Sequence, residues 1–182
     1  MKKNLVVINN EKCTKIDGYF YCQNLEIKSM YENLIQKYNS KFLLRKADIT
    51  PVYKIDKSNI KLSSNILSFT KNLILSIIKD KADYLIISVT PYTFFSFLLL
   101  FLFRKKTFLY LRSDGKKEIS IIFGKKLSII YKIIENVMVK FSNLIVVNDL
   151  ISKKKKFHLV NPSQIDQQWF QNIKIPKRDK IK

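Results

Sequence analysis

The chain has 182 residues, 47% of them hydrophobic, which is enough apolar content and length for one folded domain and excludes a disordered chain. Lysine and arginine together number 34 against 14 acidic residues, so the net charge is +20. Only four of the 34 are arginine. Because arginine makes most specific contacts to bases and phosphates, this balance argues against a nucleic-acid-binding domain. It leaves two explanations, an anionic membrane surface as partner or a genome rich in A and T.

The cysteines and the histidine are too few for a zinc site. Cys13 and Cys22 are the only cysteines and His158 is the only histidine, and no C-x-x-C occurs. The beginning MKKNLVVINNEK is basic, but its apolar run of four residues is too short for a signal-peptide core. We therefore expect a cytosolic N-terminus with both cysteines as free thiols.

Strands and amphipathic helices alternate through the first eighty residues. The patterns predict strands at 4–9, 41–45 and 59–62 and helices at 27–38 and 66–78. A polar loop containing Gly18 is expected after the first strand. A second loop, with Pro51, is expected over 46–58.

The stretch from Tyr84 to Phe103 has 20 residues without a charge and could be read as a membrane span. Pro91 interrupts it, because proline lacks an N–H and disfavours helical geometry in the preceding residue. The remaining run of 12 residues would be only about 18 Å long as a helix, against a hydrocarbon core of ~30 Å. A strand-like TFLYL follows. The stretch 84–115 therefore predicts a strand–helix–strand unit, and the alternative is a small non-catalytic membrane-anchored protein with a span at 84–103.

The rest of the chain continues the alternation. An apolar stripe from Phe123 to Phe141 predicts one helix, and short strands are expected at 143–148 and 157–161. The whole pattern predicts an α/β fold, a Rossmann-like doubly wound parallel sheet of about six to seven strands with helices on both faces. The domain would cover 1–165, and 166–182 would be a linker or tail.

Polar segments follow the predicted strands, at the edge where parallel sheets bind ligands. The three glycines of the chain cannot form a dinucleotide fingerprint or a P-loop, and no D-x-D occurs, so no metal site is predicted. Arg112 could clamp a phosphate or carboxylate, Asp114 could accept bonds from sugar hydroxyls, and Gly115 would allow close approach of a ligand. Thr90 and Tyr92 would line the neighbouring loop. The alternatives are an Asp-Gly turn with an Arg–Asp pair, a plain strand-to-helix turn, and a helix N-cap at 148–149.

Four segments in this order resemble the N-terminal half of a glycosyltransferase with the GT-B fold, of the large retaining group called family 4. They are NLVVINNE, YFYCQNLEIKSMYENL, the stretch 84–115 and VNPSQIDQQWF. The resemblance implies two Rossmann-like domains facing each other across a cleft. The N-terminal one binds the acceptor, which is a sugar, a growing polysaccharide or a lipid-linked saccharide. The C-terminal one binds the nucleotide-sugar donor, without a metal.

The resemblance also implies roles for parts of this chain. Thr90, Tyr92, Arg112, Asp114 and Gly115 would lie at the acceptor edge of the cleft, whereas no catalytic residue can be assigned. No pair of glutamates has the family's Glu-x7-Glu spacing, and the family's glycine-rich loop after the first strand is missing. We therefore expect this chain to bind no cofactor and to be incomplete for catalysis alone, with the donor on a C-terminal domain or a separate C-terminal half.

The lysine-rich apolar helices would hold such a domain at the inner face of the cell membrane. Binding to anionic vesicles should then fall steeply with salt.

Overall fold

The computed structural model describes residues 2–55, 59–148 and 156–160, which form nine strands and five helices. The strands are β1 (Asn4–Ile16), β2 (Tyr19–Cys22), β3 (Asn39–Lys46), β4 (Tyr53–Ile55), β5 (Ile60–Ser63), β6 (Asp83–Ile87), β7 (Thr107–Leu111), β8 (Asn143–Val146) and β9 (Phe157–Leu159). The helices are α1 (Leu25–Lys37), α2 (Ile66–Lys79), α3 (Pro91–Leu102), α4 (Gly115–Phe123) and α5 (Lys125–Phe141).

Seven strands pair in parallel in the order β5-β3-β1-β6-β7-β8-β9. The order runs leftward from β1 to β5 and then resumes rightward from β6, so the direction of winding reverses between β1 and β6. β2 and β4 add an antiparallel extension beside the far end of β1. The sheet is mixed but mostly parallel, and the predicted Rossmann-like α/β fold is confirmed.

Apolar side chains of the sheet alternate between two cores, one on each face. Along β1, Val6 and Ile8 enter the core covered by α2, α3 and α5, and Leu5 and Val7 enter the core covered by α1. All four are buried. Burying a valine or leucine side chain contributes about 1.5–3 kcal/mol, so the central strands fix both layers. The prediction of helices on both faces is also confirmed.

The stretch 84–115 forms a strand–helix–strand unit, as predicted. β6 and β7 pair in parallel, and the 12-residue α3 connects them. Thr90 and Thr93 close a capping box at the start of α3, with Pro91 at its first position. Among the residues that the structure describes, no helix is long and apolar enough to cross a membrane. The alternative of a span at 84–103 is therefore wrong, because its first residues are hydrogen-bonded into the sheet.

The predicted loop around Gly18 is instead a β-hairpin. β1 runs on to Ile16, and Asp17 and Gly18, with φ of 49° and 81°, form the two-residue turn into β2. Two consecutive positive φ values match the right-handed twist of hairpin strands, which is why Asp-Gly favours such turns. The predicted loop at 46–58 likewise contains β4, which pairs with β2. Both additional strands bury alternate side chains, among them Phe20, Cys22 and Ile55.

The single helix predicted from Phe123 to Phe141 is two helices. Gly124 has a φ of 85°, in the left-handed region, and separates α4 from α5. Phe123 therefore belongs to α4. Several side chains of the apolar stripe are exposed. Asp149, the predicted tail 166–182 and all of VNPSQIDQQWF except Val160 lie outside the described residues.

Candidate functional site

Polar residues gather where the strands end at the carboxyl edge of the sheet. The pairing of β1 with β6 ends at Asn9, opposite Ile87, and β7 ends just before Arg112. The winding reverses between β1 and β6, and such a reversal opens a crevice in which doubly wound sheets bind ligands. The candidate site therefore lies around the ends of these three strands.

Arg112 is held by two hydrogen bonds at this edge. Its Nη1 donates to Glu26 Oε2 at 2.6 Å, and its Nε donates to Ser88 Oγ at 3.2 Å. The ion pair is largely shielded, since the two side chains are 29% and 13% exposed. The predicted Arg–Asp pair with Asp114 is thus not the pair that forms. The guanidinium has five N–H donors, and these contacts use two of them.

A second carboxyl group, Glu11, lies close enough to this pair to interact with it. Burial raises the pKa of Glu11, the positive charge of Arg112 opposes that rise, and the charge of Glu26 adds to it. A half-buried carboxyl with a raised pKa beside an Arg–Glu pair is typical of sites that bind polar ligands or move protons. Glu11 follows the first predicted strand, at 4–9, whereas Glu26 is 86 residues from Arg112 in the sequence.

Asn9 and Ser88 carry two further signs of a site. Asn9 is 3% exposed, its Oδ1 accepts from the backbone N–H of Glu11 at 3.2 Å, and its Nδ2 is buried with no hydrogen-bond partner among the described residues. An unmet buried donor costs about 1–3 kcal/mol, which a ligand acceptor would recover. Ser88 has a φ of 62°, and such strain concentrates at functional sites.

Ser88 is held in this conformation from three directions. Its N–H donates to the carbonyl of Tyr110 at 3.0 Å, its carbonyl accepts from Thr93 Oγ1 at 3.0 Å, and its hydroxyl accepts from Arg112. These bonds link the ends of β6 and β7 to the first turn of α3. The positions of Arg112 and the α3 cap are therefore coupled.

Thr90 and Tyr92, both predicted to line the site, lie at the start of α3. The hydroxyl of Thr90 is used in the helix cap, which agrees with the alternative of a strand-to-helix turn. The ring of Tyr92 packs edge-on against Phe69 at 5.6 Å, and the Arg45 guanidinium lies 4.7 Å from its centre. Arg45 Nη1 also donates to Asn10 Oδ1 at 3.2 Å, which connects Tyr92 to the end of β1.

Asp114 and Gly115, the remaining predicted residues, form the start of α4. Asp114 accepts from the backbone N–H of Lys117 at 3.2 Å and so caps the helix, and its carboxylate is 3.6 Å from Lys117 Nζ. Gly115 is buried under the ring of Tyr131. Burial and then the neighbouring Glu135 raise the pKa of Tyr131 far above its usual value. Asp114 therefore caps α4 and Gly115 makes room for the Tyr131 ring, and the sequence predicted neither of these structural roles.

A cavity of about 500 Å³ lies between the strand ends and the α4–α5 pair. Asn10 and Thr90 bring polar groups to it from β1 and from the cap of α3. The opposite side is apolar and comes from the two helices. Its lining is Asn10, Val89, Thr90, Pro91, Ile119, Phe123, Leu127, Ile130, Tyr131 and Ile134. The cavity therefore offers a polar end and an apolar wall within one space.

The hydrogen-bond donors and acceptors of the site suit an organic ligand. Amide, hydroxyl, carboxyl and guanidinium groups surround the crevice, and these bind hydroxyl-rich molecules through directed hydrogen bonds. In the part of the chain that the structure describes, no three His, Cys, Asp or Glu side chains form a group that could hold a metal ion.

Comparison of the chain with models of protein families and with curated proteins gives no match. The family resemblance therefore depends on the segments quoted from the sequence, and the arrangement of residues at the carboxyl edge is an independent line of argument.

Proposed function

We propose that this chain is the acceptor-binding domain of a glycosyltransferase, and that its acceptor is a saccharide carried on a lipid. The observation that supports the proposal most is the cavity at the carboxyl edge. Its polar end, with Asn10 and Thr90, suits sugar hydroxyls, whereas its apolar wall on α4 and α5 suits an aliphatic chain. An acceptor with both parts would use the whole space.

The proposed role follows from what sugar transfer requires. A hydroxyl oxygen of the acceptor forms a bond to the anomeric carbon of the donor sugar, the bond from that carbon to the nucleotide diphosphate breaks, and the hydroxyl proton passes to the departing diphosphate. This domain would fix the acceptor hydroxyl in place, because correct placement alone can supply a large part of the rate. A second Rossmann-like domain would bind the nucleotide sugar.

Binding of alkyl glycosides tests the acceptor site directly. Isothermal titration calorimetry would compare an alkyl glucoside, kept below its micelle-forming concentration, with glucose and with the matching alkyl alcohol. We expect the glucoside to bind more tightly than either part, because only it meets both ends of the cavity. Equal affinity for the glucoside and the alcohol would refute a saccharide acceptor.

A pair of neighbouring substitutions locates the binding in the cavity. Ile130 lines the cavity, whereas Ile129 is 60% exposed and is not part of its lining. We expect Ile130→Trp to fill the space and to weaken glucoside binding by about tenfold, or ~1.4 kcal/mol. Ile129→Trp should bind as the wild type does. The same loss in both variants would place binding elsewhere.

Titration with a nucleotide-sugar donor tests whether this domain binds the acceptor and not the donor. UDP-glucose titrated into this chain should give no heat of binding at the crevice. Tight binding of UDP-glucose that Ile130→Trp abolishes would contradict the assignment of this domain to the acceptor.

A further inference from the structure

Helices α4 and α5 expose an unusually apolar surface. Ile121 is 84% exposed, Ile122 68% and Phe123 60%, and they are followed by more exposed aliphatic side chains in the first half of α5. We call these residues together the α4–α5 surface; its members are Ile121, Ile122, Phe123, Leu127, Ile129, Ile130 and Ile133. Exposed apolar groups concentrated in this way mark interaction sites.

The fold presents this surface at the end of a helical hairpin. At the base, Ser128 Oγ donates to the Lys116 carbonyl at 3.2 Å, and Tyr131 packs on Gly115. At the other end, a Cβ placed on Gly124 would meet no atom within 4 Å, so the turn between the helices stands in solvent. The base is thus fixed to the domain while Phe123 and its neighbours remain available to a partner.

The charges around this surface indicate the kind of partner. Residues 115–133 hold five lysines and a single acidic residue, Glu118; the lysines are Lys116, Lys117, Lys125, Lys126 and Lys132. Asp114 pairs with Lys117 at 3.6 Å and offsets one of the charges. Isoleucine and phenylalanine interspersed with lysine match the boundary between the acyl chains and the head groups of an anionic bilayer. A second copy of the chain, also of charge +20, would repel it.

We propose that the α4–α5 surface docks on an anionic lipid bilayer, with Ile121, Ile122 and Phe123 inserted and Lys125 and Lys126 at the head groups. Phe123, Leu127 and Ile130 belong both to this surface and to the lining of the cavity. A lipid-linked acceptor could then pass from the bilayer into the cavity along these side chains. That second step rests on the proposed function, whereas docking does not.

Vesicle co-sedimentation with the full chain tests docking. The probes are vesicles of phosphatidylcholine with and without phosphatidylglycerol, at low and high salt. We expect binding only to vesicles that contain phosphatidylglycerol, and reversal by salt. Lys125→Gln with Lys126→Gln should weaken it by about twenty-five-fold, since each lysine near the surface is worth about fivefold. Replacement of Ile121, Ile122 and Phe123 by serine should weaken it by at least about tenfold.

Matched controls come from α2, which also exposes apolar and basic residues. Leu67 and Ile78 are 78% and 71% exposed, and Lys71 and Lys79 are exposed on the same helix. Leu67→Ser with Ile78→Ser, and Lys71→Gln with Lys79→Gln, should bind vesicles as the wild type does. Circular dichroism confirms that each variant is folded.

Three results would overturn the proposal. Equal losses in the α2 controls would mean that net charge alone drives binding. Unchanged binding of the serine variant would mean that its three apolar side chains do not enter the bilayer. A lipid-free dimer that the serine variant dissociates would identify a second copy as the occupant. Because glucoside binding is measured without vesicles, a failure of docking is distinguishable from a failure of the acceptor assignment.

Discussion

Gly115→Ala should destabilise the domain, although alanine is the better helix former. A Cβ at this position would lie 2.0 Å from Tyr131 Oη and 2.5 Å from Cζ. Both distances are far below van der Waals contact, so the ring or the start of α4 must move. Overpacking of this kind costs about 1–3 kcal/mol.

The stabilisation that Gly→Ala normally brings is smaller than the cost of the clash, so the sign of the change in unfolding free energy tests the packing explanation. The backbone of Gly115 is not left-handed, unlike that of Gly18 and Gly124, so alanine can adopt it. Without the clash, Gly→Ala would stabilise the protein by ~0.4–1 kcal/mol. We therefore expect a net loss of about 1–2 kcal/mol in the free energy of unfolding. For a domain of this size the melting temperature should fall by roughly 2–4 °C for each kcal/mol lost.

Urea unfolding followed by circular dichroism measures the loss, and a double-mutant cycle assigns it. In a Tyr131→Ala background the clash is absent, so Gly115→Ala should become neutral or slightly stabilising. Gly124→Ala is the matched control, because its cost comes from a φ of 85° and should be the same with or without Tyr131. If Gly115→Ala costs the same in both backgrounds, or costs nothing in the wild type, the packing explanation is wrong.

Three further predictions concern titratable groups. Burial is the largest single influence on Asp80 and opposes its charge, but the hydrogen bonds from Lys41 and Ser76 and the charges of Lys41 and Lys61 together outweigh it and lower the pKa of Asp80 below its ordinary 3.8. Asp80→Asn should therefore reduce stability at neutral pH, with the difference vanishing in acid as the wild-type carboxylate is protonated. Burial raises the pKa of Glu11 above 4.5, so wild-type stability falls as pH rises from 4.5 through the folded-state pKa. Glu11→Gln should remove that fall and stabilise the domain at neutral pH, as urea unfolding at several pH values would show; equal unfolding curves would contradict it. Burial raises the pKa of Cys13 to about 12 and also raises that of Cys22, so iodoacetamide should label neither thiol until urea unfolds the chain. Rapid labelling of the native protein, detected by mass spectrometry, would refute this.

The parallel core could be predicted because it depends on local features of the sequence, such as the length of an apolar run and the position of a proline. In 84–103, an apolar run too short for a bilayer and a proline after a strand-length segment were enough to choose between a span and a strand–helix unit. The hairpin at Asp17 and Gly18 was missed, although Asp-Gly between alternating residues is a hairpin signal. The stripe from Phe123 to Phe141 was predicted as one helix because apolar spacing alone does not reveal the break that the positive φ of Gly124 makes.

The candidate site was predictable only in part. Arg112 directly follows β7 and Thr90 comes three residues after β6, so topology placed both at the carboxyl edge. The partner of Arg112 could not be foreseen, because Glu26 comes from α1 and is brought near by a crossover between β1 and β3. The packing of Gly115 could not be foreseen either, because the ring that covers it belongs to Tyr131 on the next helix. Single residues indicate where a site is, but their partners depend on tertiary contacts.

The continuation of β1 into a hairpin has a consequence for how phosphate groups could bind at this edge of the sheet. In doubly wound folds the pyrophosphate normally sits on the first turn of the helix that directly follows the first strand, where backbone N–H groups point outward. Here β1 runs to Ile16, and the next helix, α1, begins only at Leu25. Its first turn carries Glu26, with Glu11 close by. A pyrophosphate entering there would meet the Arg112–Glu26 ion pair, and the Asn24 side chain already accepts from one of the amide hydrogens that other domains of this architecture offer.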